Sequence, residues 1–138
     1  MLAHVMSFLG GRASEELIFG AENVTIGAYD DFKKASEIIR DLIFRYGMSN
    51  LGIIPTQESF FNNEEIAAEL PETTKQKIEE EREKILNQCW KKVKAILRQK
   101  KQVLSLLAEV LLKKNSLLKE EIDFIAINQI SPFTPLLK

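Results

Sequence analysis

Apolar residues recur at helical spacing along most of this chain, and this pattern constrains the fold more than any other feature of the sequence. The longest such stretch opens at Pro71, a residue type that favours the first turn of a helix, and runs to about Lys100. Its apolar positions are Ile78, Ile85, Leu86, Cys89, Val93, Ile96 and Leu97. A second stretch ends near Asn115, and a third begins around Lys119. Because short turns favour antiparallel neighbours, the pattern predicts an all-α helical bundle with a long C-terminal helical hairpin.

The first half of the chain has the same period with more interruptions. Residues 2–9 and residues 13–19 each predict a helical segment, and Gly10-Gly11 is expected either to loosen the backbone between them or to allow close approach of another element. Gly20 is well placed to terminate the second segment. The clearest helix of this half follows a connector and is closed by Gly47. Its predicted buried face comprises Ala28, Phe32, Ala35, Ile39, Leu42, Ile43 and Tyr46.

The remaining segments complete the predicted organisation of the chain. Residues 51–71 have no sustained period and are interpreted as a connector, with a short extended segment near residues 51–55. Residues 72–129 are assigned to the helical hairpin and the last helix. Residues 130–138 contain two prolines and form a tail that we expect to fray.

Composition and charge exclude several classes of protein. A length of 138 residues fits one domain. Nineteen basic and twenty acidic residues give a net charge of −1, which argues against a nucleic-acid partner because such proteins concentrate basic residues on one face. A single cysteine excludes an intrachain disulfide. No apolar run approaches the roughly 18 residues that span a bilayer, so we expect the chain by itself to be soluble.

Two sequence blocks in the first half carry the strongest functional signal. The first is GGRASEELIFG at residues 10–20, and the second is TIGAYDDF at residues 25–32. The tetrapeptide YGMS follows at residues 46–49. These blocks, in this order, resemble the peptidase domain of the FtsH family, membrane-anchored AAA+ proteases that hold a catalytic zinc. The resemblance extends over about residues 5–127, more loosely in the C-terminal half.

The resemblance implies that this chain is one part of a larger protein. In the family an H-E-x-x-H helix lies upstream of these blocks, and this sequence contains neither that motif nor a G-x-x-x-x-G-K-T phosphate-binding loop. Residues 1–138 are therefore expected to be the C-terminal portion of a zinc metallopeptidase domain, with residues 5–50 shaping the active site. The isolated chain is expected to bind no zinc and to cleave nothing.

The resemblance also implies the cofactors, partners and location of the intact protein. Zinc belongs to its peptidase site, and ATP and Mg²⁺ belong to its motor domain. The partners are protein substrates and five further copies of the same protein in a homo-hexamer. A transmembrane segment anchors the protein, with the peptidase domain on the cytoplasmic side.

Asp31 is the position on which the resemblance places a zinc ligand. A catalytic zinc takes three protein ligands and keeps a position open for water, and H-E-x-x-H supplies two imidazoles and a glutamate that accepts a proton from that water. In the family the third ligand is the aspartate of the G-A-x-x-D run, which is Asp31 here. From the residues alone, Asp31 and its neighbour Asp30 are also explained as first-turn acids that favour the helix dipole.

Glu15 and Glu16 are the candidates for a supporting role beside the metal. One of them is expected to orient a metal-bound imidazole through a hydrogen bond. Glu16 is preferred because it lies at the border of the apolar face that contains Ala13 and Leu17. The alternatives are an exposed acidic pair, or an ion pair between Glu16 and Arg12 one helical turn earlier.

Other reactive side chains have simpler interpretations. His4 is the only histidine, lies opposite the apolar positions of its helix and is interpreted as solvent-facing. Cys89 lies on an apolar stripe and is interpreted as a buried structural thiol. The acids at residues 79–81 and the basic residues at 91–101 follow the helix dipole in the order expected of a solvated face.

Two other hypotheses remain open at this stage. The chain is alternatively a non-catalytic helical interaction or scaffold module, or an unrelated helical bundle that matches the two blocks by coincidence. Absence of the H-E-x-x-H helix would expose apolar surface, at a cost of about 25 cal/mol per Å². We therefore expect the chain to self-associate or to repack its N-terminal helices.

Overall fold

The structure, a computed structural model, describes residues 1–54 and 70–129 and is all-α over those residues, as predicted. The α-helices are α1 (Leu2–Phe19), α2 (Tyr29–Phe44), α3 (Glu72–Gln99), α4 (Lys101–Lys114) and α5 (Lys119–Asn128). Two short 3₁₀ turns, Ala21–Asn23 and Ile26–Ala28, connect α1 to α2. None of the helices in these residues is long and apolar enough to cross a membrane.

The chain forms two compact units, Met1–Val93 and Lys94–Lys138. The boundary falls within α3, so the N-terminal unit contains α1, α2 and most of α3. The predicted pairing of α3 with α4 as an antiparallel hairpin stays a prediction, as do the predicted domain boundaries. The predicted tail and most of the predicted connector lie outside the described residues.

The core of the N-terminal unit is the contact between α1 and α2. Its buried residues recur every three or four positions along each helix, so each of the two helices presents one apolar stripe to the core. They are Val5, Leu9 and Ala13 on α1, and Ala35, Ile39, Leu42 and Ile43 on α2. The Lys34 ammonium lies 5.6 Å from the ring centre of Phe8, which adds a cation–π contact between the same helices.

Of the two alternatives for Gly10 and Gly11, an interruption of the first helix is wrong. α1 is continuous from Leu2 to Phe19. Its buried stripe keeps the same period on both sides of the two glycines, so packing against α2 outweighs a helix-propensity cost of about 1 kcal/mol per glycine. The predicted end of the helix is confirmed, because the chain leaves α1 at Gly20 with φ of 84°.

Substituting Gly10 by alanine is expected to stabilise the protein by about 0.8–1 kcal/mol, because alanine has the higher helix propensity. A Cβ atom at Gly10 meets nothing within 4 Å, so no repulsion opposes the gain.

Gly47→Ala is the matched control, in which the same substitution is expected to lower stability. Gly47 has φ of 56°, and a Cβ there would lie 3.3 Å from Ile53. We expect Gly47→Ala to destabilise by about 1–2 kcal/mol in urea unfolding, and a stabilised Gly47→Ala would contradict this account.

α2 is shorter at its C-terminal end than its apolar pattern predicted. The helix ends at Phe44, and the backbone N–H of Met48 donates to the carbonyl oxygen of Leu42 at 2.9 Å as the chain turns at Gly47. Tyr46 therefore lies beyond the helix and is 56% exposed, so its predicted place on the buried face is wrong. Phe32, at 37% exposure, is only partly covered.

Residues 51–54, in the region where a short extended segment was predicted, form no strand. The N–H of Gly52 donates to the carbonyl oxygen of Ser49 at 3.0 Å, and Gly52 has φ of 66°. A left-handed glycine turns the chain at this position. Ile54 is buried and Ile53 is exposed.

α3 begins where the sequence predicted. The carbonyl oxygen of Pro71 accepts from the N–H groups of Thr74 and Lys75 at 2.9 and 3.1 Å, so the proline stands at the start of the helix. The buried residues of α3 are part of the predicted stripe and comprise Ile78, Ile85, Cys89 and Val93.

In the C-terminal unit, α4 and α5 pack against each other. The buried residues are Val103, Val110 and Ile125. α4 ends at Asn115, which has φ of 65°, as the sequence predicted. Glu121 accepts a hydrogen bond from the N–H of Leu118 at 2.8 Å and another from the Lys114 ammonium, and these bonds secure the start of α5.

Candidate metal-ligand site

Asp31 lies in the first turn of α2, directly beside the Gly-Gly-Arg segment of α1. A Cβ atom built on Gly11 would lie 4.0 Å from Asp31 Oδ2, an ordinary van der Waals distance, so the carboxylate approaches α1 at this glycine. Asp31 is half-buried, whereas its neighbour Asp30 is exposed. The two blocks that carried the sequence signal therefore meet in space, and of these two acids only Asp31 is partly enclosed.

Three residues hold the connector that precedes α2, and we call them the Thr25 clasp: Arg12, Glu15 and Thr25. The N–H of Thr25 donates to Glu15 Oε2 at 2.8 Å, and its hydroxyl donates to the same carboxylate at 3.1 Å. Arg12 Nη1 donates to the carbonyl oxygen of Thr25 at 3.2 Å. Two side chains one turn apart on α1 thus bind the N–H, hydroxyl and carbonyl groups of a single residue.

Thr25 also caps the 3₁₀ turn that leads into α2. Its hydroxyl oxygen accepts from the N–H of Gly27 at 3.3 Å, at the N-terminus of the turn Ile26–Ala28. α2 begins at Tyr29, immediately after this turn. The clasp therefore lies at the start of a short, continuous backbone path to Asp31.

The hydrogen bonds of the clasp change the acidity of Glu15. Donation from the Thr25 backbone N–H, followed in importance by donation from the Thr25 hydroxyl, lowers the pKa of Glu15 below its ordinary value of 4.5. The positive charge of Arg12 acts in the same direction.

The clasp is expected to weaken in acid. Because the folded pKa of Glu15 is lower than the unfolded one, its contribution to stability is complete above about pH 4.5 and is lost as the pH falls through the folded pKa. The free energy of unfolding, measured from about pH 6 to about pH 3, should fall less steeply for Glu15→Gln than for the wild type. Glu22→Gln, at an exposed position of the same connector, is the control and should keep the wild-type slope.

The predicted support of a metal-bound imidazole by Glu15 or Glu16 stays a prediction. Glu15 binds Thr25 in the structure. Glu16 is half-buried, and its backbone oxygen accepts from the N–H of Gly20 at 3.0 Å. Sequence reasoning missed Thr25. A threonine just before an Ile-Gly pair has the character of a capping residue, and that was the available signal.

The described residues fit one coordination position of a zinc ion. A carboxylate oxygen is an ordinary zinc ligand, and Asp31 is partly enclosed beside an open glycine. Within residues 1–54 and 70–129, no group of three His, Cys, Asp or Glu side chains is arranged to hold a metal. His4 is exposed, as predicted. Cys89 is buried, and that burial raises the pKa of its thiol.

A groove of about 790 Å³ lies elsewhere in the N-terminal unit. Its lining is mainly apolar and includes residues of α1, α2 and α3, with Lys84, Lys92 and Glu81 contributing charge. Asn50 donates its N–H to Glu81 Oε1 at 3.2 Å at this edge. Neither Asp31 nor Glu15 lines the groove.

Comparison with known proteins identifies the family. The sequence profile of peptidase family M41 matches residues 1–125, which include α1, α2 and the Asp31 region. The chain belongs to peptidase family M41. The matched range agrees with the extent of the resemblance inferred from the motifs.

Relatives of this chain carry the name ATP-dependent zinc metalloprotease FtsH. The protein from Mesoplasma florum is 36% identical over 136 residues, which are 96% of this chain and 20% of the relative. The protein from Mycoplasmopsis synoviae is 38% identical over 131 residues, which are 91% of this chain and 20% of the relative. The protein from Mycoplasma genitalium is 37% identical over 135 residues, which are 96% of this chain and 19% of the relative. The chain thus spans about a fifth of the length of these curated relatives.

Proposed function

We propose that this chain is the C-terminal portion of the peptidase domain of an ATP-dependent zinc metalloendopeptidase, and that Asp31 is its zinc ligand. The supporting observation is the place of the Asp31 carboxylate, half-buried beside Gly11, within the segment that matches family M41. Asp31 and Gly11 belong to the two sequence blocks that resemble the FtsH family.

In this proposal the residues of the chain have distinct tasks. Asp31 holds the metal through a carboxylate oxygen, and the exposed N–H groups at the start of α2 stabilise its negative charge. Gly11 is the residue of α1 that lies beside the carboxylate. When bound, zinc supplies an activated water for peptide hydrolysis. The other two ligands and the general base come from the H-E-x-x-H helix that the resemblance places upstream.

The wider function follows from the same resemblance. The intact protein would use ATP and Mg²⁺ in a motor domain to unfold membrane and soluble proteins, and would deliver them to six peptidase domains. A transmembrane segment would anchor it, with the peptidase domains on the cytoplasmic side. The isolated chain, without the H-E-x-x-H helix, would be inactive.

The second candidate function is a non-catalytic interaction module. It is favoured by apolar side chains that stand in solvent in the C-terminal unit, among them Leu112 at 84% and Ile127 at 79% exposure. Where such side chains form one contiguous patch, they mark a surface that another protein covers. Self-association of the isolated chain, which the sequence predicted, is the simplest form of that behaviour and stays a prediction.

A chimaera separates the two functions. Residues 1–138 would replace the matching segment of the Mesoplasma florum relative, which is named an ATP-dependent zinc metalloprotease. We expect the chimaera to bind one zinc per chain and to degrade an unfolded protein in the presence of ATP. ATP hydrolysis by the same preparation reports whether the remainder of the protein is folded. A chimaera that hydrolyses ATP but binds no zinc would contradict the proposal and favour the interaction module.

A further inference from the structure

We propose that Arg12 and Glu15 are positioning residues, which set the place of the Asp31 carboxylate by holding Thr25 at the start of the turn that leads into α2. This inference rests on the proposed function only in treating Asp31 as a zinc ligand. The positioning itself is a statement about the folded chain and is testable without metal.

Every hydrogen-bonding group of Thr25 takes part in a hydrogen bond. Its N–H and hydroxyl donate to Glu15, its carbonyl accepts from Arg12, and its hydroxyl oxygen accepts from Gly27. A residue held by its backbone on both sides of Cα cannot rotate about φ or ψ without breaking at least one of these bonds. Thr25 is therefore fixed relative to α1.

The backbone between Thr25 and Asp31 has little conformational freedom. The turn Ile26–Ala28 follows Thr25 directly, and α2 follows the turn without an intervening loop. The N–H of Tyr29 donates to the carbonyl oxygen of Ile26, which continues the helical hydrogen bonding across the junction. Displacement of Thr25 would thus be transmitted to the first turn of α2, where Asp31 lies.

The Asp31 side chain itself also lies close to α1. Gly11 immediately precedes Arg12 on α1, and it is the residue that Asp31 approaches. The clasp and this approach lie within residues 11–15, so one short segment of α1 both orients the connector and faces the carboxylate. This arrangement gives a structural role to the arginine and the first glutamate of the GGRASEE block.

The experiment uses the chimaera and the 138-residue chain in parallel. In the chimaera, zinc affinity is measured by competition with a chelator for Glu15→Ala, Arg12→Ala and Thr25→Val. We expect each to lower zinc affinity by about 10- to 100-fold, the usual effect of losing a residue that orients a ligand. Thr25→Ser keeps every group of the clasp and should retain nearly wild-type affinity. Glu22→Ala, at an exposed glutamate of the same connector, should have no effect.

Two further comparisons distinguish positioning from general loss of stability. Arg12→Ala and Glu15→Ala act on the same residue, so the double variant should lose less affinity than the sum of the two single losses. When Asp31→Asn is already present, Glu15→Ala should have no further effect on zinc affinity. Independent, additive effects in both comparisons would overturn the inference.

The chain without metal gives the readout that does not depend on the proposed function. In amide NMR spectra, Glu15→Ala and Thr25→Val should shift the signals of Gly27 and Asp31 and speed hydrogen exchange at Gly27, whereas Thr25→Ser and Glu22→Ala should not. If Asp31→Asn leaves zinc affinity unchanged in the chimaera, the proposed function fails, and these spectra alone decide the positioning. If Asp31→Asn abolishes binding while the clasp variants bind normally, the positioning fails and the function stands.

Discussion

Asp31→Asn is expected to reduce zinc affinity and proteolysis in the chimaera by more than the 10- to 100-fold typical of residues that only orient a ligand. An amide has nearly the size and shape of a carboxylate but carries no negative charge, so the substitution removes ligand strength and leaves packing beside Gly11 intact. ATP hydrolysis should stay at the level of the unsubstituted chimaera, because the change lies outside the motor domain. Zinc is measured by elemental analysis and proteolysis by release of labelled peptide.

Asp30→Asn is the matched control, because it makes the same chemical change one position earlier on the same helical turn. Asp30 is exposed, whereas Asp31 is half-buried beside α1. We expect Asp30→Asn to keep both zinc and activity. Equal losses for the two variants would point to a shared effect on the helix dipole and would remove Asp31 from the metal site.

Ile43→Ala is expected to destabilise the chain by about 2–5 kcal/mol, the range for removing a large aliphatic side chain from a packed core. Ile43 is fully buried on α2, in the stripe that packs against Val5, Leu9 and Ala13 of α1. Because this contact joins the two helices that carry Asp31 and Gly11, its loss should also loosen the candidate site. Urea unfolding followed by the helical circular dichroism signal measures the change.

Ile53→Ala removes the same side chain from a position that is 89% exposed, and it should alter stability by no more than about 0.5 kcal/mol. If both isoleucine variants unfold at the same urea concentration, the contact between α1 and α2 is not the core of the N-terminal unit.

The sequence predicted helix ends well where a single residue type imposes them. Pro71 cannot continue a preceding helix and stands at the start of α3, while Gly20 and Asn115 take positive φ values at the ends of α1 and α4. The prediction failed at Gly10 and Gly11, where local propensity opposed a tertiary contact and the contact prevailed. Helix propensity is a weak term of about 1 kcal/mol, and burial of a continuous stripe exceeds it.

The candidate site was predictable only in part, for a similar reason. The motif pattern selected Asp31 as a candidate zinc ligand, which stays a prediction, and the structure places this side chain half-buried beside Gly11. The Thr25 clasp was not predicted, because its bonds join residues separated by 10 and 13 positions across a bend in the chain. No periodicity connects such residues, and their proximity becomes visible only when α1 and the connector are placed in three dimensions.

The burial of Cys89 makes the alkylation rate of its thiol a measure of local opening of the structure. It is the single cysteine of the sequence, lines the groove of about 790 Å³ and is only 3% exposed, so a thiol reagent needs a local opening beside that groove to reach the sulfur. The raised pKa of its thiol lowers the thiolate fraction at neutral pH, which slows alkylation further in the closed state. The rate of alkylation therefore reports how often the structure around Cys89 opens, and no label has to be engineered into the chain.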